Sequence, residues 1–158
     1  MISHGEPGQE RIVTMSHVFQ ASPELVWEAW TDAKHLAQWW CPEYFTIPAC
    51  QVDAQPGGTI SLSMQGPDGV LYPMVGTYKE VVKPEKLVFV TSPLDAEDKP
   101  LFEILNTALF TKEGETTRLT LVLRVLSSTV PGEHFLAGME EGWKQSLAKQ
   151  DRLFIQSV

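Results

Sequence analysis

Residues 21–42 read ASPELVWEAWTDAKHLAQWWCP and contain four of the five tryptophans of the chain. Ser22 is a good N-cap residue, and Pro23 suits the first helical position because its missing N–H costs nothing there. Apolar side chains then recur at helical spacing, at Leu25, Val26, Ala29 and Trp30. Asp32 interrupts this pattern and predicts the cap of a second short helix over residues 33–40. Two short helices in tandem, both rich in aromatic residues, must cover a large apolar surface.

Alternation of apolar and polar side chains predicts strands on both sides of these helices. In the segment that begins at Thr59, the residues Ile60, Leu62 and Met64 alternate with polar neighbours. The Gly-Pro-Asp-Gly turn at residues 66–69 joins this strand to the next, because Asp-Gly suits backbone positions with positive φ. The same pattern predicts strands over residues 11–20, 45–52, 59–65, 70–82, 86–91, 101–111 and 116–126.

A long helix is predicted over residues 131–156. Its apolar stripe, at the spacing of one helical face, consists of Leu136, Met139, Trp143, Leu147 and Phe154. Gly138 and Gly142 lie inside this helix, and each costs about 1 kcal/mol relative to alanine. Glycine on a helix either permits a close backbone approach or leaves space. Both arrangements suit a helix that lies over a cavity.

The order of elements is one strand, two short helices, a run of antiparallel strands and a long C-terminal helix. This order predicts an α+β fold in which a curved antiparallel sheet of about six to seven strands wraps around the C-terminal helix. Residues 11–156 are expected to form this single domain, after a flexible leader over residues 1–10.

The composition limits the classes of function. The 158 residues carry a formal net charge of −8, which argues against binding to nucleic acid or to an anionic membrane. No stretch approaches the ~20 apolar residues of a membrane span, and the first residues lack the apolar core of a signal peptide. A cytoplasmic protein is therefore expected, with Cys41 and Cys50 as two reduced thiols.

Three blocks of the sequence resemble one protein family in their order and spacing. They are SPELVWEAWTDAKHLAQWW at residues 22–40, VDAQPGGTISLSMQGPDGVLYPMVGTYKEVVKPEKLVFV at residues 52–90, and GMEEGWKQSLAKQDRL at residues 138–153. The blocks are similar to the activator of heat-shock chaperone ATPase homologue-like family, a branch of the START-like or Bet-v-1-like helix-grip (SRPBCC) superfamily. This resemblance implies a cavity between the long helix and the sheet that holds an apolar or aromatic ligand. His17 departs from the family pattern, since relatives often carry Arg at this strand position.

The candidate binding residues are those expected to face this cavity. Tryptophans of the second short helix and of the long helix should meet over the sheet, and methionine thioethers suit adaptable walls. His17 is the histidine expected to point inward, as a polar group in the cavity. A packed core without a void is the alternative for most of the aromatic residues. The full predicted lining comprises Trp39, Trp40, Phe45, Met64, Met74, Phe102, Met139, Trp143, Leu147 and His17.

Motifs for metal, cofactor or nucleophilic chemistry are missing from the sequence. The 4 histidines form no His-x-x-x-His or His-Glu-x-x-His pattern, so no metal and no cofactor is expected. No Gly-x-Ser-x-Gly elbow occurs, and the glycine-containing segments at residues 55–58 and 66–69 are turns and not phosphate-binding loops. Glu103 lies within an apolar strand, where it is expected to point outward and to pair with a basic residue across the sheet.

Three functions are compatible with this sequence. The favoured hypothesis is a non-enzymatic domain that binds a small lipophilic or aromatic ligand in its cavity. The first alternative is a co-chaperone or other partner-binding module that acts on a heat-shock chaperone ATPase, with the acidic charge steering a basic partner. The second alternative is a polyketide cyclase-like enzyme that uses polar cavity groups, namely His17, Tyr72, Tyr78 or Glu103. A homodimer is also left open.

Overall fold

The computed structural model describes residues 11–156, and the predicted leader over residues 1–10 lies outside the described residues. Seven strands and four helices follow one another within the described range. In chain order they are β1 (Ile12–Phe19), α1 (Pro23–Thr31), α2 (Ala33–Trp39), β2 (Thr46–Val52), β3 (Thr59–Gln65), β4 (Leu71–Val82), β5 (Lys86–Pro93), β6 (Phe102–Glu113), β7 (Thr116–Ser128), α3 (Val130–Leu136) and α4 (Met139–Gln156).

The strands form one curved, seven-stranded antiparallel sheet in the order β1-β7-β6-β5-β4-β3-β2. β1 and β2 therefore lie at opposite edges, and the α1–α2 segment that joins them crosses from one edge of the sheet to the other. The Asp-Gly turn joins β3 to β4 with Gln65 opposite Leu71, as the sequence predicts. This architecture confirms the predicted α+β fold class.

The caps of the two short helices are those that the sequence predicts. The Ser22 hydroxyl accepts a hydrogen bond from Leu25 N at 3.4 Å, and the Asp32 carboxylate accepts one from Lys34 N at 3.0 Å. α1 packs against β6 and β7. The residues that α1 buries are Pro23, Val26, Trp27, Ala29 and Trp30.

The C-terminal helix is interrupted where one continuous helix is predicted. α3 ends at Leu136 and α4 begins at Met139, and between them Gly138 N donates to Phe135 O at 3.1 Å in a turn. The prediction of a single helix over residues 131–156 is therefore wrong at this joint, because glycine weakens the helix at the point where the two segments meet. α4 remains the long C-terminal helix of the fold.

Thr129 and Gly132 hold the start of α3 close to the sheet. The Thr129 hydroxyl donates to Leu101 O at 2.8 Å and accepts a hydrogen bond from Gly132 N at 3.1 Å. A Cβ atom on Gly132 would lie 2.1 Å from Leu101 O, so the approach requires glycine. The first turn of α3 is thereby fixed to the chain that enters β6.

The inner face of the sheet carries the core. Every second residue of β6 is buried along this face, at Phe102, Ile104, Asn106, Ala108 and Phe110. β7 contributes three fully buried leucines, Leu119, Leu121 and Leu123. Asn106 is 1% exposed and is the polar member of the β6 set. An amide group is therefore placed inside an otherwise apolar layer.

Candidate functional site

A cavity of about 360 Å³ lies between the C-terminal helices, the loop after α2 and the inner face of the sheet. The helical wall consists of His134, Phe135, Gly138, Met139, Gly142, Trp143 and Ser146. The loop contributes Trp40, Cys41 and Pro42. The sheet contributes Met64, Met74, Thr91, Pro93, Phe102, Ile104 and Asn106. This space is a cleft that opens to solvent and not an enclosed void.

Gly138 and Gly142 keep the helical wall of the cavity open. A Cβ atom on Gly138 would come no closer than 3.8 Å to Phe135 O, and one on Gly142 no closer than 3.8 Å to Pro42 Cγ. Both are ordinary van der Waals distances, so neither glycine is required for a close backbone approach. The sequence leaves two roles open for these glycines, a close backbone approach or the leaving of space. The structure shows that they leave space.

Trp143 is held in place by aromatic contacts behind the cavity wall. Its indole ring stacks on that of Trp30 with 5.7 Å between centroids and 10° between planes, and lies 6.1 Å from the ring of Trp40. Trp30 Nε1 donates to the buried Gln150 Oε1 at 3.1 Å, which fixes the orientation of the Trp30 indole. Aromatic pairs of this kind add about 0.5–1.5 kcal/mol beyond the burial of their surface. The tryptophan side of the cavity is therefore a preformed, rigid wall.

Lys149 of α4 binds the segment over residues 40–45, which we call the 40–45 loop. Its Nζ atom donates to Pro42 O at 2.9 Å, to Phe45 O at 3.1 Å and to Cys41 Sγ at 3.1 Å. These three acceptors use all three protons of the ammonium group. Because Cys41 and Pro42 line the cavity, Lys149 fixes this part of the wall from behind.

Glu43 forms a second attachment of the 40–45 loop to α4. Its carboxylate accepts a hydrogen bond from Arg152 Nη2 at 2.6 Å, and its backbone N–H donates to Gln145 Oε1 at 2.9 Å. The hydrogen bond from Arg152 lowers the pKa of the Glu43 carboxyl. One face of α4 therefore carries both the helical cavity wall and the anchors of the loop wall.

Asn106 is a polar residue of the cavity wall that the sequence predictions missed. Its Nδ2 atom donates to Phe89 O at 3.0 Å, to Thr91 Oγ1 at 3.0 Å and to Ile104 O at 3.2 Å. A usable signal was present in the sequence, because Asn106 follows Ile104 by two positions in an alternating strand and must face the same way. Thr91 follows Phe89 on β5 by the same rule and also lines the cavity.

A second cavity of about 270 Å³ adjoins the first one. The two cavities share Pro42, Met64, Met74, Pro93, Phe102 and Phe135. The second is completed by Phe45, Tyr72, Pro73, Leu94 and Leu101. The shared side chains make one continuous apolar lining, in which Phe135 is 45% exposed.

The predicted lining residues are divided between the cavities and the core. Six of them line the first cavity, namely Trp40, Met64, Met74, Phe102, Met139 and Trp143. Phe45 lines the second cavity. Trp39 and Leu147 lie in the core at 0% and 2% exposure, away from both linings. The indole of Trp39 donates to Ala29 O at 2.8 Å and contacts the rings of Trp30 and Trp143, so it packs within the aromatic core.

His17 lies away from both cavities and joins β1 to α4. Its Nε2 atom lies 2.9 Å from Oδ2 and 3.0 Å from Oδ1 of Asp151. Its ring also contacts that of Phe19, with 4.7 Å between centroids. The Asp151 carboxylate of α4 holds the imidazole against that helix. The prediction that His17 is a polar group of the cavity wall is therefore wrong.

The other polar side chains suggested for enzyme chemistry are spread over the structure. Glu103 lies on the face of β6 opposite Asn106, and its carboxylate accepts a hydrogen bond from Ser127 Oγ at 3.1 Å in place of the expected basic partner. Tyr72 lines the second cavity. Tyr78 is buried, which raises the pKa of its phenol far above the ordinary value. These groups do not converge on one point.

The sequence profile of the family described as Activator of Hsp90 ATPase homolog 1-like protein matches residues 20–154. The chain belongs to this family. The match covers every element from α1 to the last turns of α4, and so includes all of the residues that line the two cavities. It confirms the resemblance found in the three sequence blocks and the helix-grip superfamily that they indicate.

Solved structures share the fold of this activator homolog-like chain. The AHSA1 protein from Silicibacter pomeroyi superposes with a TM-score of 0.80 and 25% identity, over 93% of this chain and 99% of that one. A protein from Chromobacterium violaceum gives a TM-score of 0.73 and 27% identity, over 90% and 95% of the two chains. A protein from Nitrosomonas europaea, at 24% identity and a TM-score of 0.76 over 92% and 95%, shows the likeness of fold alone.

No curated protein matches the sequence. Within residues 11–156, none of the helices has the length and apolar character needed to cross a membrane.

Proposed function

We propose that this chain is a non-enzymatic binding domain for a small apolar or aromatic molecule, which lies in the cavity between α4 and the sheet. The observation that carries the proposal is a cavity of about 360 Å³ walled by tryptophan, phenylalanine and methionine. An apolar cavity of about 150 Å³ holds one benzene ring, so the volume suits a molecule of about two to three aromatic rings. Thioethers beside aromatic rings are typical of sites that accept apolar ligands.

The anchoring of the walls supports binding to a preformed site. The stacked rings of Trp30 and Trp143 and the hydrogen bonds of Lys149 hold the cavity open before any molecule arrives. A site that is already ordered loses little conformational entropy on binding. Gly138, before α4, and Gly142, within it, have the same effect, since they leave out side chains that would occupy the space.

The two alternative functions draw less support from the cavity. Cys41 and His134 are the ionisable side chains among its described lining residues, and they lie on the loop and on α3 respectively. Stimulation of a chaperone ATPase, the activity in the family name, is a function of a protein surface and gives no reason for an internal cavity. A chaperone partner and a homodimer therefore stay predictions.

The proposal is tested by titration with N-phenyl-1-naphthylamine. This neutral probe carries a naphthalene and a phenyl group and fluoresces strongly in apolar surroundings. Saturable binding with one site per chain is expected. Gly142→Leu places a side chain in the cavity and should weaken binding by at least about tenfold. Ala148→Leu, on the exposed side of α4, is the matched control and should leave the affinity unchanged.

Two results would contradict internal binding of N-phenyl-1-naphthylamine. One is the lack of saturable binding to a folded wild-type chain. The other is an equal loss of affinity in Gly142→Leu and Ala148→Leu, which would place the probe on the surface. If binding is internal, native mass spectrometry of protein purified from its own host, followed by organic extraction, identifies the natural molecule.

A further inference from the structure

The amide of Asn106 has one orientation in the cavity wall. Two of the three acceptors around its Nδ2 atom are backbone carbonyl oxygens, of Phe89 and Ile104, and these can only accept hydrogen bonds. The nitrogen must therefore face them, and the Oδ1 oxygen faces the other way. The side chain is 1% exposed, so neither end of the amide is free to turn toward bulk solvent.

The Oδ1 oxygen of Asn106 is an unused acceptor on the cavity surface. Among residues 11–156, no donor reaches this atom. The Oδ1 oxygen is also accessible. In the described part of the chain, Gln150 Nε2 is the one side-chain nitrogen or oxygen that is both inaccessible and unpaired, so an unpaired Oδ1 must be accessible. An acceptor that is unpaired yet accessible, on a residue that lines a cavity, faces the space within it.

Thr91 adds a donor next to this acceptor. Its Oγ1 atom accepts from Asn106 Nδ2 at 3.0 Å, which leaves the hydroxyl proton free, and no acceptor for it lies within the described residues. Thr91 is 5% exposed and lines the same cavity. The sheet side of the cavity therefore presents one hydrogen-bond acceptor on β6 and one hydrogen-bond donor on β5.

The cavity wall contains no permanently charged side chain among its described residues. No aspartate, glutamate, lysine or arginine is among its described lining residues, and His134 lies on the exposed side of α3. The three ammonium protons of Lys149 are already used by the 40–45 loop. An isolated carboxylate or amine would lose its hydration on entering and gain no compensating partner.

We propose that the cavity selects neutral, hydroxyl-bearing aromatic or alicyclic molecules, whose hydroxyl donates to Asn106 Oδ1 and accepts from the Thr91 hydroxyl. A hydroxyl is the small neutral group that both gives and receives a hydrogen bond, and it matches the two wall groups together. The apolar remainder of the molecule contacts the tryptophan and methionine walls. This assignment rests on the proposed binding function and names the chemical class that the cavity accepts.

The test compares three molecules of similar size by calorimetric titration of the full chain. 2-Naphthol carries the hydroxyl, 2-methoxynaphthalene replaces its proton by a methyl group, and 2-naphthoate carries a charge. 2-Naphthol is expected to bind about fivefold to tenfold more tightly than 2-methoxynaphthalene, as a neutral hydrogen bond allows. 2-Naphthoate is expected to bind more weakly than either.

Two variants assign the preference to the wall groups. Thr91→Val keeps the shape of the side chain and removes its hydroxyl, and Asn106→Leu removes the acceptor. Asn106→Leu should reduce the preference for 2-naphthol over 2-methoxynaphthalene by at least about threefold, because only the hydroxyl can donate to Oδ1. Thr91→Val should weaken the binding of both molecules by a similar factor, because both oxygens can accept from the Thr91 hydroxyl. If Asn106→Leu fails to fold, Thr91→Val and the wild-type series still decide the outcome.

The failure of this assignment is distinguishable from failure of the proposed function. Equal affinity of the wild-type chain for 2-naphthol and 2-methoxynaphthalene would overturn the selectivity, while binding in the cavity would stand. Tighter binding of 2-naphthoate would overturn it in the same way. If 2-naphthol, 2-methoxynaphthalene and N-phenyl-1-naphthylamine all fail to bind the folded chain, both proposals fall.

Discussion

The ammonium nitrogen of Lys149 lies 2.9 Å from the carbonyl oxygen of Pro42, which joins the middle of the long C-terminal helix to the loop after α2. Pro42 lines both cavities, whereas Lys149 is in neither lining. A charged side chain outside the apolar lining thus sets the position of the wall. The charge remains on the outer side of the loop, where it does not alter the polarity that a bound molecule meets.

Replacement of Lys149 by methionine should loosen this attachment. Lys149→Met keeps the length of the side chain but removes all donors to the 40–45 loop, and hydrogen bonds from charged groups contribute about 1.5–3 kcal/mol. We expect a loss of about that size in the free energy of unfolding, measured by urea denaturation. Lys144→Met, on the exposed side of the same helix, should change it by less than about 0.5 kcal/mol. Equal effects of the two substitutions would show that the loop contacts contribute nothing.

Two glycines near the cavity should respond to alanine with opposite signs. Gly142→Ala meets no atom closer than 3.8 Å and should raise the free energy of unfolding. The gain expected from helix propensity is up to about 1 kcal/mol. Gly132→Ala puts a Cβ atom 2.1 Å from Leu101 O and should lower it. The cost of such crowding is about 1–3 kcal/mol. Thermal and urea unfolding of both variants measure this contrast, which is lost if they shift in the same direction.

The burial of Tyr78 predicts a loss of stability at high pH. Burial, and after it the nearby Cys50 and Asp53, raises the pKa of the Tyr78 phenol in the folded chain. Above about pH 10 the unfolded chain loses this proton while the folded chain keeps it, so the free energy of unfolding falls as pH rises, by at most about 1.4 kcal/mol per pH unit from this group. The stabilising contribution is fully present below that pH.

Comparison with Tyr78→Phe isolates this contribution from the titration of the lysines. Urea unfolding of both chains from about pH 8 to about pH 11 should show wild type losing more stability than the variant above about pH 10. Parallel curves for the two chains over the whole range would mean that the folded and unfolded states release this proton together.

Phe135 should affect binding more than stability. It is 45% exposed and lines both cavities, so Phe135→Ala should change the free energy of unfolding little. Loss of one aromatic contact worth about 0.5–1.5 kcal/mol predicts about threefold to tenfold weaker binding of N-phenyl-1-naphthylamine. The neighbouring Leu136 is fully buried, and Leu136→Ala should instead destabilise the fold by about 2–5 kcal/mol. A large fall in melting temperature for Phe135→Ala would contradict this division.

Local signals were enough to predict most of the fold. The hydroxyl of Ser22 and the carboxylate of Asp32 cap the helices that their positions predict, because capping depends on the nearest few residues. The strand over residues 59–65 has the predicted bounds, since alternation and the following Asp-Gly turn define both of its ends. The joint between α3 and α4 was not predicted, because the apolar stripe continues across Gly138 and conceals the break.

The cavity was harder to predict because it depends on which neighbours meet in space. Trp39 and Trp40 are adjacent in sequence, yet the first is fully buried in the core and the second lines the cavity. His17 faces inward as expected, but it contacts Asp151 of α4 and not the cavity, and this partner lies far along the chain. Asn106 was within reach of sequence reasoning, since strand parity alone places it on the inner face.

Every strand of the sheet is complete at Ser128, whereas the helical wall of the cavity comes from residues after it. Changes at Gly138, Gly142 or Ser146 therefore reshape the cavity without touching a single ladder hydrogen bond. Variation in this helical segment can therefore change the shape of the cavity, whereas the hydrogen-bonding groups of Asn106 and Thr91 stay on the sheet. We expect that the shape of the cavity can be engineered through residues 138–146 alone.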